Sequence, residues 1–161
     1  MRSILILALI ANTATAALAG DDLVGRASVI DGDTIELHGQ RIRLHGMDAP
    51  EARQRCSHPD GSEWRCGREA AFTLDELLRG RVVTCERRDQ DRYQRVVAVC
   101  RIGSIDIGEW MVRNGWATAY RRYSADYVAA EEKARADGRG LWSGSFENPE
   151  AWRWGGKSSV F

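Results

Sequence analysis

Two turn signals near the start of the chain divide residues 23–47 into three short strands. Asp31-Gly32 and Gly39-Gln40 each place a glycine where a tight hairpin turn needs a positive φ. The segments 23–30, 33–38 and 41–47 around these turns alternate apolar and polar side chains, as half-buried strands do. The sequence therefore predicts a three-stranded antiparallel meander, which belongs in a sheet or barrel and not in a helical bundle.

A second hairpin and three helices are predicted after the meander. The hairpin joins strands 81–86 and 95–102 through a charged loop at 87–94. Helical spacing and end signals predict a helix at 67–80 closed by Gly80, a short helix from an Asp106–Glu109 capping box to Asn114-Gly115, and a helix at 125–137 capped by Ser124. Five short strands with helices between and after them favour an α+β fold, mainly β: a five-stranded OB-fold barrel with three helices.

The first nineteen residues have the three parts of a secretory signal peptide. Arg2 precedes the apolar run Ile4–Ile10, and small residues end at Ala19. The apolar run is shorter than the roughly 20 residues that span a bilayer, so we expect export to the periplasm or the medium, without stable membrane association. Residues 20–144 are predicted to form one domain, followed by a C-terminal tail at 145–161.

The net charge limits how this protein could bind a polyanion. After residues 1–19 are removed, 22 basic and 23 acidic residues remain, giving a charge of −1. Bulk electrostatic attraction to nucleic acid is excluded by this balance, so any phosphate-binding site must be local.

Four cysteines in an exported chain predict two disulfides, for which three pairings are possible. Proximity in the sequence favours Cys56–Cys66 and Cys85–Cys100. The second pair also has a geometric reason, because antiparallel strands centred between residues 92 and 93 place its sulfurs opposite each other. A zinc site is the alternative, but separations of ten and fifteen residues lack the Cys-x-x-Cys unit of zinc ribbons and fingers.

Charged side chains are concentrated on the predicted meander. Asp33 and Asp48 are fifteen residues apart, and a third strand that returns beside the second would bring them together. Two carboxylates, a backbone carbonyl and waters would suffice for calcium, which takes several oxygen ligands at about 2.3–2.6 Å. An arginine beside them, such as Arg43, would bind phosphate through its planar guanidinium. The combination predicts phosphodiester chemistry.

Each candidate also has a purely structural interpretation. Asp31 and Asp33 flank a turn glycine, where aspartate is favoured for its own hydrogen bonding. Glu51 follows a proline that stiffens its loop, which suits a water-positioning group, but a solvated glutamate is the commoner case. Arg43 could be an ordinary exposed arginine, and Arg95 could pair with the aspartate four residues before it.

Five motifs favour the functional interpretation of these residues over the structural one. They are IDGDT at 30–34, RLHGMDAPE at 43–51, DRYQR at 91–95, NGWATAY at 114–120 and GLW at 140–142. In this order and spacing they resemble the thermonuclease family, also called staphylococcal nuclease-like domains, over roughly residues 23–143. The resemblance implies an OB-fold barrel with three helices and a calcium-dependent endonuclease. Its expected substrates are DNA and RNA, preferably single-stranded, its products would carry 3′-phosphates, and we expect a monomer.

The resemblance also implies a metal site. By motif position, Asp33 and Asp48 would ligate calcium together with the main-chain carbonyl of Ala49, and Asp31 would support them from outside the coordination sphere. The family often has threonine where Ala49 stands. Because that ligand is a carbonyl oxygen, we expect little loss from the change.

Four further residues receive catalytic or binding roles by the same resemblance. Arg43 and Arg95 would hold the scissile phosphate and stabilise its developing charge, while Glu51 would orient or deprotonate the attacking water. Tyr120 would contact the nucleotide, with packing in the core as its alternative. Gln94 departs from the family, which usually has glycine before the second arginine, so the turn that presents Arg95 is expected to differ.

A noncatalytic OB module that binds single strands or a protein partner is the alternative function, as for degenerate members of that family. The full set of Asp33, Arg43, Asp48, Glu51 and Arg95 argues against it, because a binding module does not need a metal-ligating carboxylate pair beside a phosphate site. A disulfide-stabilised structural domain with vestigial motifs is a third interpretation.

Overall fold

The computed structural model describes residues 22–155 and 159–160, so the predicted signal peptide lies outside the described residues. The strands are β1 Leu23–Gly25, β2 Ser28–Asp31, β3 Thr34–Leu37, β4 Gln40–Leu44, β5 Met47–Asp48, β6 Cys56–Ser57, β7 Glu63–Trp64, β8 Val83–Gln90, β9 Val96–Ile102, β10 Ile105–Asp106, β11 Thr118–Ala119, β12 Phe146–Glu147 and β13 Ser159–Val160. The helices are α1 Cys66–Leu78, α2 Ile107–Arg113, α3 Val128–Ala136 and α4 Pro149–Arg153, with a 3₁₀ turn at Gly140–Ser143.

The main sheet curls into a barrel because one chain segment serves both of its edges. Its strand order is β1-β8-β9-β4-β3-β2, and every neighbouring pair is antiparallel except β4 with β9. β1 and β2 stand at opposite ends of this order, yet only two residues separate them in the chain. Segment 23–31 therefore closes a five-stranded barrel, and the predicted mainly-β α+β fold of OB type is confirmed.

Because apolar and charged residues alternate along the strands, the apolar side chains lie inside the barrel and the charged ones on its surface. In β4, Ile42 and Leu44 are buried, while Arg41 and Arg43 lie on the other face. The interior is filled by almost fully buried apolar side chains, which include Ile35, Leu37, Ile42, Leu44, Met47, Leu74, Val83, Val96, Ile107 and Met111. Full burial of one such side chain contributes about 1.5–3 kcal/mol, so this core fixes the strands that carry the charged residues.

Helix ends agree with the sequence in two cases and differ in one. α1 ends just before Gly80, and the Asp106 carboxylate accepts a hydrogen bond from the Glu109 N–H at 3.0 Å, as the predicted capping box requires. α3 begins at Val128 and not at residue 125. Ser124 instead accepts from the Asp126 N–H at 3.0 Å, so its hydroxyl stabilises the preceding turn.

The second hairpin is longer than its polar sequence predicts. β8 continues to Gln90, and the residues expected in the loop at 87–90 are paired with β9 across a bulge between Arg87 and Asp89. All four are exposed, although their partners on β9 include the buried Val96 and Ala98. Main-chain hydrogen bonds do not require apolar side chains, so amphipathic alternation ends before the strand does.

Both disulfides have the pairing that the sequence favours. Cys85 and Cys100 face each other across β8 and β9 with Cα atoms 4.0 Å apart. Cys56–Cys66 joins the first residue of β6 to the first residue of α1, with a Cα separation of 5.7 Å. In the part of the chain that the structure describes, no helix has the length and apolar character to cross a membrane.

Residues 143–155 include a strand and a helix where the sequence predicted only a C-terminal tail. Phe146 is buried and packs edge-on against Trp142, with ring centroids 5.0 Å apart. Asn148 then caps α4 by accepting from the N–H groups of Glu150 and Ala151 at 3.0 and 3.3 Å. α4 is thus a fourth helix beyond the three predicted, and it packs over the cleft described next.

Candidate active site

Strand register brings the two predicted metal-ligating aspartates to one arginine. Thr34 pairs with Arg43 across β3 and β4, which sets Arg43 beside Asp33, and the short β5–β11 pair places Asp48 opposite Thr118. Arg43 Nη1 donates to Asp33 Oδ1 and its Nη2 donates to Asp48 Oδ1, both at 2.6 Å. The side chains are 14%, 6% and 2% exposed in the order arginine, Asp33, Asp48. The two carboxylates therefore converge, as the meander predicted.

The turn before β3 is held against Ala49 by close packing. A Cβ added at Gly32 would lie 2.7 Å from the Ala49 Cβ, so a larger residue would push the turn away. The Ala49 N–H donates to Asp33 Oδ2 at 3.2 Å. This contact fixes the second oxygen of Asp33, while the ligand role of the Ala49 carbonyl stays a prediction.

Asp31 adds a third carboxylate beside Asp33. Its Oδ1 accepts from the Asp33 N–H at 3.1 Å, which is the turn-forming contact expected beside a turn glycine. Burial, followed by the charge of Asp33, raises the pKa of Asp31 to about 6. Burial also raises the pKa of Asp48, although hydrogen bonding from Arg153 and the charge of Arg43 oppose the shift. Burial thus disfavours the charged forms of Asp31 and Asp48.

Glu51 sits on a loop whose backbone is tightly constrained. The buried Gln54 accepts from the Glu51 N–H through its side chain at 3.2 Å, and its own N–H donates to the Glu51 carbonyl at 2.7 Å. A Cβ at Gly67 would lie 1.8 Å from that carbonyl, so α1 can approach only because residue 67 is glycine. Gln54 also donates to the Glu147 carbonyl at 2.6 Å, which ties this loop to β12.

Arg95 reaches the same cleft from the second hairpin and is paired with Asp91. Its Nε donates to Asp91 Oδ2 at 2.8 Å, and its Nη1 donates to Thr34 Oγ1 at 3.3 Å. Thr34 in turn donates to Asp33 Oδ1 at 3.0 Å, so Arg95 is linked through one hydroxyl to the carboxylate cluster. Pairing with Asp91 was the structural alternative for this residue, and it coexists with a position in the site.

Tyr120 is half-buried and lines the cleft, so it is not a core residue. Its ring packs edge-on against Tyr123 at 4.8 Å, and the Arg43 guanidinium carbon lies 6.0 Å from the ring centroid. Its hydroxyl donates to Glu150 at 3.3 Å. Burial first, then the Glu150 charge, raises the pKa of Tyr120. Tyr120 therefore connects the barrel side of the cleft to α4.

The cleft has a volume of about 1120 Å³ and is lined by six of the eight residues predicted to act at the site. Its lining includes Asp31, Asp33, Arg43, Glu51, Arg95 and Tyr120. Asp48 lies beneath it, 1% exposed.

Sequence reasoning missed Arg153, which α4 brings to the cluster. Its Nη1 donates to Asp48 Oδ1 and Glu51 Oε1, both at 2.9 Å, and its Nη2 donates to Asp48 Oδ2 at 2.8 Å. The available signal was Asn148-Pro149, a helix cap followed by proline at the first helical position, which marks a helix start in the supposed tail.

The carboxylate oxygens at this site suit a hard cation, although arginine side chains lie between them. Among residues 22–155, no three acidic, histidine or cysteine side chains form a metal-binding group by themselves. Arg43 lies between Asp33 and Asp48, and Arg153 between Asp48 and Glu51. All of the carboxylates are oxygen donors of the kind calcium prefers, and a bound cation would stabilise the charged form of Asp48, which burial disfavours.

Comparison with known proteins gives a family match and named relatives. The family model described as "Staphylococcal nuclease homologue" matches residues 41–144. The chain is 39% identical over 140 residues to a Rhizobium meliloti protein named "Succinoglycan biosynthesis protein ExoI", covering 85% of this chain and 73% of that one. It is 35% identical over 141 residues to an "Uncharacterized endonuclease" of Escherichia coli, covering 83% of this chain and 85% of the relative. A "Probable staphylococcal-like nuclease CAN2" of Oryza sativa subsp. japonica is 32% identical over 124 residues, covering 75% of this chain and 31% of that protein.

Proposed function

Since this chain belongs to the staphylococcal nuclease homologue family, we propose that it is a calcium-dependent endonuclease that hydrolyses DNA and RNA to products with 3′-phosphates. The observation that carries the proposal is one cleft in which Arg43 joins the buried Asp33 and Asp48 beside Glu51 and Arg95. Relatives named as endonucleases support the same reaction class.

Two arginines are suited to bind the scissile phosphate. A guanidinium has five N–H donors, and Arg43 uses two of its nitrogens for carboxylates while Arg95 uses Nε and Nη1. Both keep further donors for the phosphoryl oxygens. Because their ion pairs hold the guanidinium groups in place, they stabilise developing charge without first having to be ordered.

Glu51 is the group that we assign to water activation. Its carboxylate accepts a proton from water as the water oxygen forms a bond to phosphorus. The bond from phosphorus to the 5′ oxygen breaks, this oxygen takes a proton from solvent to become a hydroxyl, and the phosphate stays on the 3′ side. Asp33 and Asp48, with the carbonyl of Ala49, would hold calcium, supported by Asp31. Bound calcium would supply charge stabilisation at the phosphoryl group.

Exposed aromatic rings along the cleft support a preference for single strands. Tyr93, Tyr123 and Trp154 are 64%, 64% and 67% exposed, and all three line the cleft. The Arg92 guanidinium carbon lies 4.8 Å from the Tyr93 ring centroid and 5.7 Å from that of Trp154. Unpaired bases stack on aromatic rings, and arginines contact the backbone between them, in proteins that bind single strands.

We further propose that the protein acts as an exported monomer. Two disulfides in one small domain favour an oxidising compartment. The expected observation is a secreted or periplasmic protein that lacks residues 1–19 and sediments as a monomer.

A noncatalytic module that binds single strands is the second candidate. It is favoured by one observation: both Asp33 and Asp48 are already paired with arginine, so the cluster is neutralised in part without a metal. Such a module would bind an oligonucleotide in calcium without cleaving it.

The test is cleavage of single-stranded DNA and RNA with calcium, with chelator, and by Glu51→Gln. We expect cleavage that stops on chelation, 3′-phosphate ends by mass spectrometry, and a turnover lower by about 10²–10⁴-fold in the variant. Glu63→Gln is the matched control, because Glu63 is 59% exposed and pairs at the surface with Arg55. Binding without cleavage by the unmodified protein would instead establish the noncatalytic module.

A further inference from the structure

The C-terminal segment contributes a cation to the centre of the carboxylate cluster. α4 is held in place by the Asn148 cap at its start and by Phe146, which is buried just before it. Arg153 is the last residue of this helix and lies 105 residues after Asp48 in the chain. Its position therefore depends on tertiary packing.

Arg153 connects two residues to which different roles are assigned. It bonds to both oxygens of Asp48, whose side chain is 2% exposed, and to Oε1 of Glu51, whose side chain is 33% exposed. A planar guanidinium that bonds to both groups fixes the distance and angle between them. One side chain thus sets where the proposed water-activating carboxylate stands relative to the proposed metal ligand.

These contacts differ from the ordinary ion pairs of the same region. Arg122 pairs with Glu150 at 3.4 Å and remains 65% exposed, which is the geometry of a weak surface pair. Arg153 is 27% exposed and makes three bonds of 2.8–2.9 Å. Burial alone would lower the pKa of Arg153, but its hydrogen bonds and the charges of Asp48 and Glu51 raise it instead.

We propose that Arg153 is a positioning residue of the hydrolytic site, which aligns Glu51 for attack and weakens cation binding at Asp48. This inference rests on the proposed nuclease function. The alignment follows from the shared guanidinium. The second effect follows from charge, because a positive group bonded to a metal ligand repels an incoming divalent ion.

The two effects predict opposite changes on removal of Arg153. In Arg153→Gln, calcium affinity should rise by about tenfold, the size of one charge–charge interaction across a few ångströms at high dielectric. In the same variant kcat should fall by about 10²-fold, as expected when a reacting group is misplaced by about 1 Å. KM should change little, because Arg153 contacts protein carboxylates and not substrate. Arg153→Lys should recover part of kcat.

The experiment combines calcium binding by isothermal titration calorimetry with steady-state cleavage of a single-stranded DNA oligomer. Arg79→Gln is the matched control, since Arg79 directly follows α1, is 71% exposed and pairs with Asp75 at the surface. A second variant, Asn148→Ala, weakens the α4 cap but keeps the arginine. Its expected effect is smaller in both measurements.

Each outcome decides between distinct conclusions. Unchanged calcium affinity and kcat in Arg153→Gln would overturn the inference while leaving the nuclease intact. Weaker calcium binding together with lower kcat would also overturn it, because Arg153 would then merely hold the cluster together. Failure of the unmodified protein to bind calcium and to cleave either nucleic acid would instead remove the proposed function itself.

Discussion

Replacing Arg43 with glutamine tests whether this arginine stabilises the fold by neutralising the two buried aspartates. The change removes the positive charge that donates to Asp33 and Asp48, both at 2.6 Å. Asp48 keeps Arg153, whereas Asp33 keeps only neutral donors, the Thr34 hydroxyl and the Ala49 N–H, among its described hydrogen bonds. The main loss is therefore one unpaired buried carboxylate.

The loss of unfolding free energy in Arg43→Gln follows from these remaining contacts. Breaking a buried ion pair from one side costs about 3–5 kcal/mol, because the remaining charge is left unneutralised. Since Asp48 retains a partner, we expect the lower end, about 3 kcal/mol of unfolding free energy at pH 8 without calcium. Arg41→Gln is the matched control, because Arg41 is exposed on the same strand and its replacement should stay within about 0.5 kcal/mol.

The loss should also depend on pH in a defined direction. Burial already raises the pKa of Asp48 above its unfolded value, and Arg43 opposes that rise. Without Arg43 the pKa of Asp48 should rise further, so the folded state holds this proton still more tightly than the unfolded state does. Stability is then lost as pH rises through the folded pKa, so the destabilisation should be smaller at pH 5 than at pH 8.

Urea unfolding with chelator at pH 5 and pH 8, followed by the same measurement with calcium, makes these expectations measurable. Calcium binds only the folded site and should reduce the difference between Arg43→Gln and the unmodified protein. A variant with an unchanged urea midpoint, or with the same loss at both pH values, would refute the view that Arg43 neutralises buried charge.

Two further predictions concern single residues of the cleft. Trp154→Ala, made in a Glu51→Gln background so that no cleavage occurs, should weaken binding of a single-stranded oligomer by about 1–3 kcal/mol, measured by fluorescence anisotropy; unchanged affinity would remove this ring from the strand path. Asp31→Asn keeps the turn acceptor but removes an ionisable group whose pKa is raised from 3.8 to about 6. Without calcium, the protein's fall in stability between about pH 4 and pH 6 should therefore shrink, with a gain of up to about 3 kcal/mol in unfolding free energy at pH 7. Equal pH dependence in urea unfolding of the two proteins would contradict the second prediction.

Local signals in the sequence were sufficient for much of the fold. Gly39, with a φ of 77°, and the alternation predicted the meander, and symmetry of the second hairpin predicted that Cys85 faces Cys100. The positive φ predicted for Gly32 was wrong, because that glycine is required by its close approach to Ala49. The Asp106 cap was equally local. Signals of this kind failed at Ser124 and at residues 87–90, because a serine caps turns as readily as helices and main-chain pairing with β9 extends β8 past its last buried side chain, Cys85.

The candidate site was predictable to the extent that strand pairing determines it. Asp33 and Arg43 meet because β3 and β4 pair in the meander, and Asp48 follows β4 by four residues. Gln54 and Arg153 could not be placed in this way, because their contacts to Glu147 and Asp48 span 93 and 105 residues and depend on how the C-terminal segment packs.

The turn that presents Arg95 explains how a departure from the family pattern is accommodated. Gln94 has a φ of 65°, in the left-handed region where glycine is favoured, so the backbone adopts the conformation that a glycine would adopt. Asp91 stabilises this turn conformation in place of a glycine. Its Oδ1 accepts from the N–H groups of Tyr93 and Arg95, at 2.9 and 3.0 Å, and its Oδ2 accepts from the Arg95 guanidinium. Burial would raise the pKa of Asp91, but these hydrogen bonds lower it, which keeps the carboxylate charged. The left-handed residue costs about 1–2 kcal/mol, and a charged aspartate with three hydrogen bonds is enough to offset it, so the position of Arg95 depends on Asp91 and not on a glycine at 94.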